Sequence, residues 1–290
     1  MPELPEVETV VRDLRVLLCG RSVVAVNAGR RKLRQPWKNA WIPRVIGRQI
    51  DGVRRRGKWI VVELDDQSHL LIHLGMTGQL TVRATSEPRE PHTHVVFDLD
   101  DGSCQLRFRD VRRFGSVRYF PAEFDIDYCL NKQLGPEPWE LEPENWHVGW
   151  RQSRRCLKAI LLDQTIVAGI GNIYADEALH AARLSPRQTG RATSLAQAER
   201  IRLAIVEVLE RAIAARGTSI SDYIGGSGLR GHFQGQLQVY GRAALPCVRC
   251  GSAIVVVRLA GRSTHYCPTC QRTAAKSRPR RNRRALPQHK

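Results

Sequence analysis

The hydrophobic period of the chain changes twice. Val7, Val10, Val11, Leu14, Leu17 and Leu18 recur at helical spacing, so the chain opens with an amphipathic helix that Gly20 ends as a C-terminal cap. Pro2, Glu3 and Glu6 fall in its first turn. From Ser22 to about Phe120 the period drops to two. WIVVEL (59–64), HLLIHL (69–74), HVVFDL (94–99) and CQLRF (104–108) are separated by turn residues such as Asp101-Gly102, which predicts an antiparallel sandwich or barrel. Leu134-Gly135-Pro136-Glu137-Pro138 reads as a stiff linker and places a boundary within 131–150. Helical spacing then returns at Leu157, Ile160 and Leu161. GIGN (169–172) interrupts it, and a second helix runs from about Asn172 to Leu184, before Pro186. Ser194 and Gln197 form a capping box for a long helix with apolar residues at 201, 205, 208, 209 and 212 that ends at Gly217.

Composition adds a partner class. The 290 residues, 42% of them hydrophobic, suit two domains with cores of their own. No stretch reaches membrane-spanning length and no signal-peptide core opens the chain, so a cytoplasmic protein without a membrane partner is expected. The net charge is +18. The last twenty residues carry eight Lys or Arg and no acid; the remainder still sets 38 basic against 28 acidic residues. Such a field favours a polyanion, nucleic acid before membrane. The segment 272–290 is expected to be a disordered basic tail, with almost nothing to bury, that adds nonspecific affinity.

The eight cysteines divide into two groups. Cys19, Cys104, Cys129 and Cys156 follow no motif and read as reduced core residues. Cys247-x-x-Cys250 and Cys267-x-x-Cys270, sixteen residues apart, match a four-thiolate zinc site. Four protein thiolates leave no open coordination position, so one structural Zn²⁺ is expected. The intervening segment reads as a β-hairpin with Gly261-Arg262 at its turn and His265 as a hairpin residue rather than a ligand.

Several other stretches carry two readings each. Removal of Met1 leaves Pro2 with a free secondary amine, a nucleophile at neutral pH because an α-amine titrates near 8, with Glu3 beside it to move a proton. The same residues are also an ordinary helix start, with Pro at a first position and acids favoured by the dipole. GIGN is either a plain break between helices or a phosphate cradle to which Asn172 adds a donor and Arg154, Arg155 and Lys158 add charge from the preceding helix. Met76 sits at a glycine-flanked tip (LGMTG, 74–78), and Phe114 stands behind Arg112 and Arg113. Such an aromatic is either a core residue or suited to entering a base stack.

Taken in order, PELPEVET, GKW around Lys58, HLGMTGQL, RRFG, LGPEP, LLDQ, GIGNIYADEAL, LQVYGR and RSTHYCPTC resemble the formamidopyrimidine-DNA glycosylase family from Pro2 to about Gln271. The related endonuclease VIII branch opens PEGPE and lacks the RRFG wedge, so ELPEVE and Phe114 favour the oxidised-purine branch.

The resemblance implies an α+β fold of two domains: a leading helix with an antiparallel β-sandwich (1–130), a linker (131–150), a helix-two-turn-helix domain (151–235) and a zinc finger (236–271). It implies a monomeric glycosylase and AP lyase of base excision repair acting on damaged double-stranded DNA. Pro2 resembles the nucleophile, Glu3 the acid that assists ring opening, Lys58 the lysine of phosphate contact and β-elimination, and Arg262 the finger arginine of phosphate binding and δ-elimination. Met76, Arg112 and Phe114 resemble the trio that fills the void of an extruded base. Glu6, Ser219 and Tyr223 are expected in the substrate pocket, the latter two on a cap loop from Gly217 to Phe233. His92, Arg113, Arg154, Lys158 and Asn172 are expected as further DNA contacts. Two departures stand out: Val111 occupies a position where proline is usual, and Arg154 one where lysine is common.

Overall fold

The computed structural model describes residues 1–29, 33–100, 102–218, 225–229 and 231–272. Helix α1 (Leu4–Leu18) begins with a reciprocal capping box between Glu3 and Glu6. Its stripe Val7, Val10, Val11, Leu14 and Leu18 is buried. Eight strands follow: β1 (Val23–Ala28), β2 (Ile50–Arg56), β3 (Trp59–Leu64), β4 (His69–His73), β5 (Gly78–Ala84), β6 (Thr93–Leu99), β7 (Cys104–Asp110) and β8 (Ser116–Phe120), with a single helical turn, α2 (Ile42–Val45), before β2. They form two antiparallel four-stranded sheets of order β1-β6-β7-β5 and β2-β3-β4-β8. The apolar faces of both sheets and the α1 stripe share one core, so the architecture is a sandwich rather than a barrel.

The second half comprises α3 (Ile126–Gln133), α4 (Pro143–Val148), α5 (Leu157–Leu161), α6 (Asn172–Ala181) and α7 (Leu195–Ala214), then the hairpin β9 (Val255–Leu259) and β10 (Arg262–Tyr266). Ser194 and Gln197 cap α7 as the spacing predicts. The hairpin turns at Ala260-Gly261, both with positive φ, which puts Arg262 one residue past the tip, at the head of β10.

Three expectations are corrected. Segment 131–150 is not a bare linker: it holds the end of α3 and all of α4, and Trp146 and Trp150 belong to the helical core. LGPEP packs closely. Gly135 and Ala168 exchange backbone bonds with Gln164 and Pro136, and Glu137 accepts from Gly57, Arg55 and Arg56 on the β2–β3 hairpin. Helix α6 stops at Ala181, short of Leu184, because Arg183 turns to positive φ. The four scattered thiols are unpaired, but none lies in a core: Cys19 is exposed and Cys104, Cys129 and Cys156 are half-buried. The expected disorder of the tail concerns 273–290, outside the described residues.

One feature of α1 sets the position of the site. Leu4 packs in the helical core, whereas Val7 and the residues behind it pack in the sandwich core. The helix therefore bridges the two halves, and its N-terminus emerges at the seam between them.

Candidate active site

The N-terminus is held at that seam by the GIGN segment. Leu4 donates its N–H to the Gly169 carbonyl at 3.0 Å. Gly169 has φ +87°, and a Cβ there would lie 2.4 Å from Leu4, so only glycine allows α1 to approach. A Cβ on Gly171 would lie 2.3 Å from the Glu3 carboxyl carbon. The N-terminal amides of α6 converge on that carboxylate: Gly171 and Ile173 donate at 2.9 Å and Tyr174 at 3.3 Å. The phosphate-cradle reading of GIGN is corrected accordingly. Within GIGN the Gly171 N–H already donates to Glu3 and the Gly169 N–H to Gln164 Oε1 at 2.9 Å, so neither of these amides is open to a phosphate.

Glu6 lies behind Glu3. Its carboxyl accepts from the Glu3 N–H at 2.8 Å, from the Tyr174 hydroxyl at 2.5 Å and from the Thr218 N–H at 2.8 Å. Burial, then the charge of Glu3, raises its pKa to about 7 against the opposing hydrogen bonds. Lys58 follows Gly57 in the β2–β3 turn, and its Nζ donates to the Ile170 carbonyl at 2.8 Å. Burial holds its amine below the usual lysine range, with Glu3 and Glu6 pulling the other way. A cleft of about 730 Å³ opens over these groups and is lined by Met1, Glu3, Lys58, Met76, Asn172 and Arg262, among others. Residues far apart in sequence thus meet around the first residues of the chain.

Phe114 and Arg112 lie on the turn next to that of Met76, which lines the cleft. Phe114 is 46% exposed, far from the core reading, and the Arg112 guanidinium lies 4.9 Å from its ring centroid. The Met76 turn and the Phe114 turn touch directly, since a Cβ on Gly75 would lie 2.5 Å from the Gly115 nitrogen. The buried Asp110 carboxylate organises both turns, accepting from the Thr77 hydroxyl at 2.6 Å, the Gly115 N–H at 2.7 Å and the Arg112 N–H at 3.2 Å. The sequence reading missed Asp110 and Thr77, though a lone acid inside RDVRRFG was an available signal. The turn holds with Val111 in place of proline because these side-chain bonds define it. His92 and Arg113 are exposed in neighbouring loops, each with positive φ.

Lys158 is corrected. It is fully buried and its Nζ lies 2.6 Å from Asp176 Oδ1, so it presents no charge to a ligand. Arg154 and Arg155 precede α5 rather than lying on it. Arg154 is exposed and Arg155 pairs with Asp163 at 2.7 Å. The Lys158–Asp176 pair docks the finger: Asp176 Oδ2 accepts from the His265 backbone at 2.8 Å, Glu177 accepts from the amides of 238–240 at 2.9 Å, and Asn172 donates to the Ser263 carbonyl at 3.0 Å. Lys158→Ala should therefore cost about 3–5 kcal/mol in urea unfolding, by leaving Asp176 buried and uncompensated, while the salt slope of DNA binding stays unchanged. Ser219 and Tyr223 lie outside the described residues.

The four finger thiols lie within 4.8 Å of one another, with Cys250–Cys267 at 3.5 Å and Cys247–Cys270 at 4.0 Å. Tetrahedral zinc with thiolates at about 2.3 Å requires sulfurs about 3.8 Å apart. The donor set fits one zinc ion and leaves no position for substrate. Among the described residues, no helix is long and apolar enough to cross a membrane.

Family models match in chain order: the formamidopyrimidine-DNA glycosylase N-terminal domain over residues 1–117, the H2TH domain of the same enzyme over 134–223, and a zinc finger found in FPG and IleRS over 244–273. The formamidopyrimidine-DNA glycosylase of Desulforamulus reducens is 42% identical over 276 residues, covering 94% of this chain and 99% of the relative. The chain belongs to the formamidopyrimidine-DNA glycosylase family. That of Carboxydothermus hydrogenoformans is 41% identical, over 94% of this chain and all of the relative. Solved structures of the family superpose closely. MutM in complex with DNA containing carbocyclic 8-oxo-G has a TM-score of 0.86 at 35% identity, covering 94% of this chain and 100% of that one. Lactococcus lactis Fpg bound to DNA containing N7-benzyl-Fapy-dG gives the same four values. Members of this family are DNA glycosylases and AP lyases.

Proposed function

We propose that the chain is a monomeric, cytoplasmic base-excision-repair enzyme that removes oxidised purines, 8-oxoguanine and formamidopyrimidines, from double-stranded DNA and then cleaves the strand. The observation that carries this reading is the single cleft in which Glu3, Lys58, Met76, Asn172 and Arg262 surround the N-terminus.

With Met1 removed, the Pro2 nitrogen attacks C1′ of the damaged nucleotide. The N–C1′ bond forms as the glycosidic bond breaks and the base departs. Glu3, fixed by the amides of α6, takes the proton that the nitrogen loses on attack and returns it to the ring oxygen, so that the sugar opens into an iminium ion. That ion makes the C2′ proton acidic. Its removal expels the 3′ phosphate, and a second elimination expels the 5′ phosphate. Lys58 suits the proton transfers because burial favours its neutral amine, and Arg262 supplies fixed positive charge to a phosphate across the cleft. Extruding a nucleotide costs a few kcal/mol, which Met76, Arg112 and Phe114 offset by occupying the vacated stack. The net charge of +18 draws the duplex in. Zinc supplies structure to the finger, and no step passes through it.

Borohydride trapping tests the reading on two duplexes, one with 8-oxoguanine opposite cytosine and one with an oxidised pyrimidine. The expected result is a covalent adduct that forms faster on the 8-oxoguanine duplex. Absence of an adduct on either duplex would remove the covalent mechanism, and faster trapping on the pyrimidine would reassign the lesion class.

A further inference from the structure

We propose that Tyr174 is a positioning residue for the N-terminal nucleophile: its hydroxyl holds the Glu6 carboxyl, which in turn holds the amide of Glu3, the residue joined to Pro2. This rests on the Schiff-base reading above. Tyr174 is buried on α6, in the apolar core beside Phe233, where a phenylalanine would pack equally well. Its hydroxyl nevertheless makes two polar contacts, donating to Glu6 Oε1 at 2.5 Å and meeting the Thr218 hydroxyl at 3.0 Å. Glu6 Oε2 then accepts the Glu3 N–H at 2.8 Å. Helix α6 consequently grips residue 3 at both ends, the carboxylate directly through its amides and the backbone through Tyr174 and Glu6. Pro2 is one bond further on. A displacement of about 1 Å at a reacting atom costs on the order of 10²-fold in rate, so the grip bears on the chemical step.

The link depends on an ionised Glu6, which as a carboxylate accepts from the Glu3 N–H, the Tyr174 hydroxyl and the Thr218 N–H. Among the described residues, the groups facing it are Glu3 at the start of its own helix, Tyr174 on α6 and Lys58 on the β2–β3 turn, with the uncharged Thr218 beyond α7. Glu3 and burial favour the protonated form, and the Tyr174 hydroxyl favours the charged one. Removing that hydroxyl therefore raises the pH at which Glu6 ionises.

The test is single-turnover borohydride trapping on a duplex carrying a preformed abasic site, with the full chain in excess, across pH 5.5 to 9. Tyr174→Phe should bind the duplex as the wild type does and trap on the order of 10-fold more slowly at neutral pH. The acid limb of its pH profile should move to higher pH. Thr218→Val should move the limb in the same direction to a smaller extent, and it carries the test if Tyr174→Phe does not fold. A slower reaction with an unmoved limb, or an unchanged rate, would overturn the proposal, as would wild-type behaviour of Thr218→Val where it stands alone. A wild type that forms no adduct overturns the Schiff-base reading itself. Trapping by the wild type with an unaltered Tyr174→Phe profile overturns only the positioning role.

Discussion

A chain that retains Met1 should bind an abasic duplex and give no borohydride-reduced adduct. The effect is all or none because the chemistry needs a lone pair. In the Met1–Pro2 peptide the nitrogen is a tertiary amide, its lone pair delocalised into the carbonyl, and it neither attacks C1′ nor carries the iminium. Once free, the same nitrogen is a secondary amine whose lone pair can attack C1′ and carry the iminium. Met1 also obstructs the site, since it lines the cleft over Glu3 and Lys58 while Pro2 behind it is buried. Binding survives because Arg112, Phe114 and Arg262 lie on other elements. The measurement uses two preparations defined by intact mass, one with Met1 and one without, compared for affinity and adduct yield. An adduct from the Met1-retaining preparation would show that the nucleophile lies elsewhere, with Lys58 the obvious alternative.

Cys267→Ser, or removal of zinc by a chelator, should abolish tight DNA binding and leave the β-sandwich folded. The finger has almost no core of its own: Val239, Ile254, Cys247 and Cys267 are its buried cluster, and two of those four are zinc ligands. Zinc contributes on the order of 10–16 kcal/mol to such small folds, far more than four side chains supply by burial. Without it the β9–β10 hairpin detaches from α6, the Asp176–His265 and Asn172–Ser263 contacts break, and Arg262 leaves the cleft. The sandwich and α1 keep a separate core and should retain their thermal transition. Affinity by fluorescence anisotropy, zinc by elemental analysis and unfolding by circular dichroism check the three parts. Wild-type affinity in a zinc-free variant would refute the structural assignment.

Where spacing alone determined an element, it was read well. The stripe of α1, the four strand segments read at β3, β4, β6 and β7, the Ser194–Gln197 capping box and the paired CxxC knuckles are local patterns, and the structure contains each of them. The failures share a cause as well. Lys158 looked like one more cation for a phosphate, and GIGN carried a phosphate-cradle reading beside that of a plain helix break. A carboxylate claims Lys158, that of Asp176, and another claims the Gly171 amide, that of Glu3. Segment 131–150 looked like a linker because glycine and proline dominate LGPEP, yet Trp146 and Trp150 anchor it from within.

The sequence by itself determined the inventory: a proline at residue 2 with an acid beside it, a buried-strand pattern, four thiols at zinc spacing, and a positive charge suited to DNA. These are properties of composition and of short-range order. Only the tertiary structure decided which groups meet. The packing of α1 across two cores carries the N-terminus to the seam, and the glycines of GIGN let it approach the amides of α6. The Gly75–Gly115 contact joins the Met76 and Phe114 turns under the control of Asp110. Burial then sets the charges, holding Lys58 low and Glu6 high. No local pattern encodes that outcome, because desolvation and pairing depend on neighbours more than a hundred residues away along the chain.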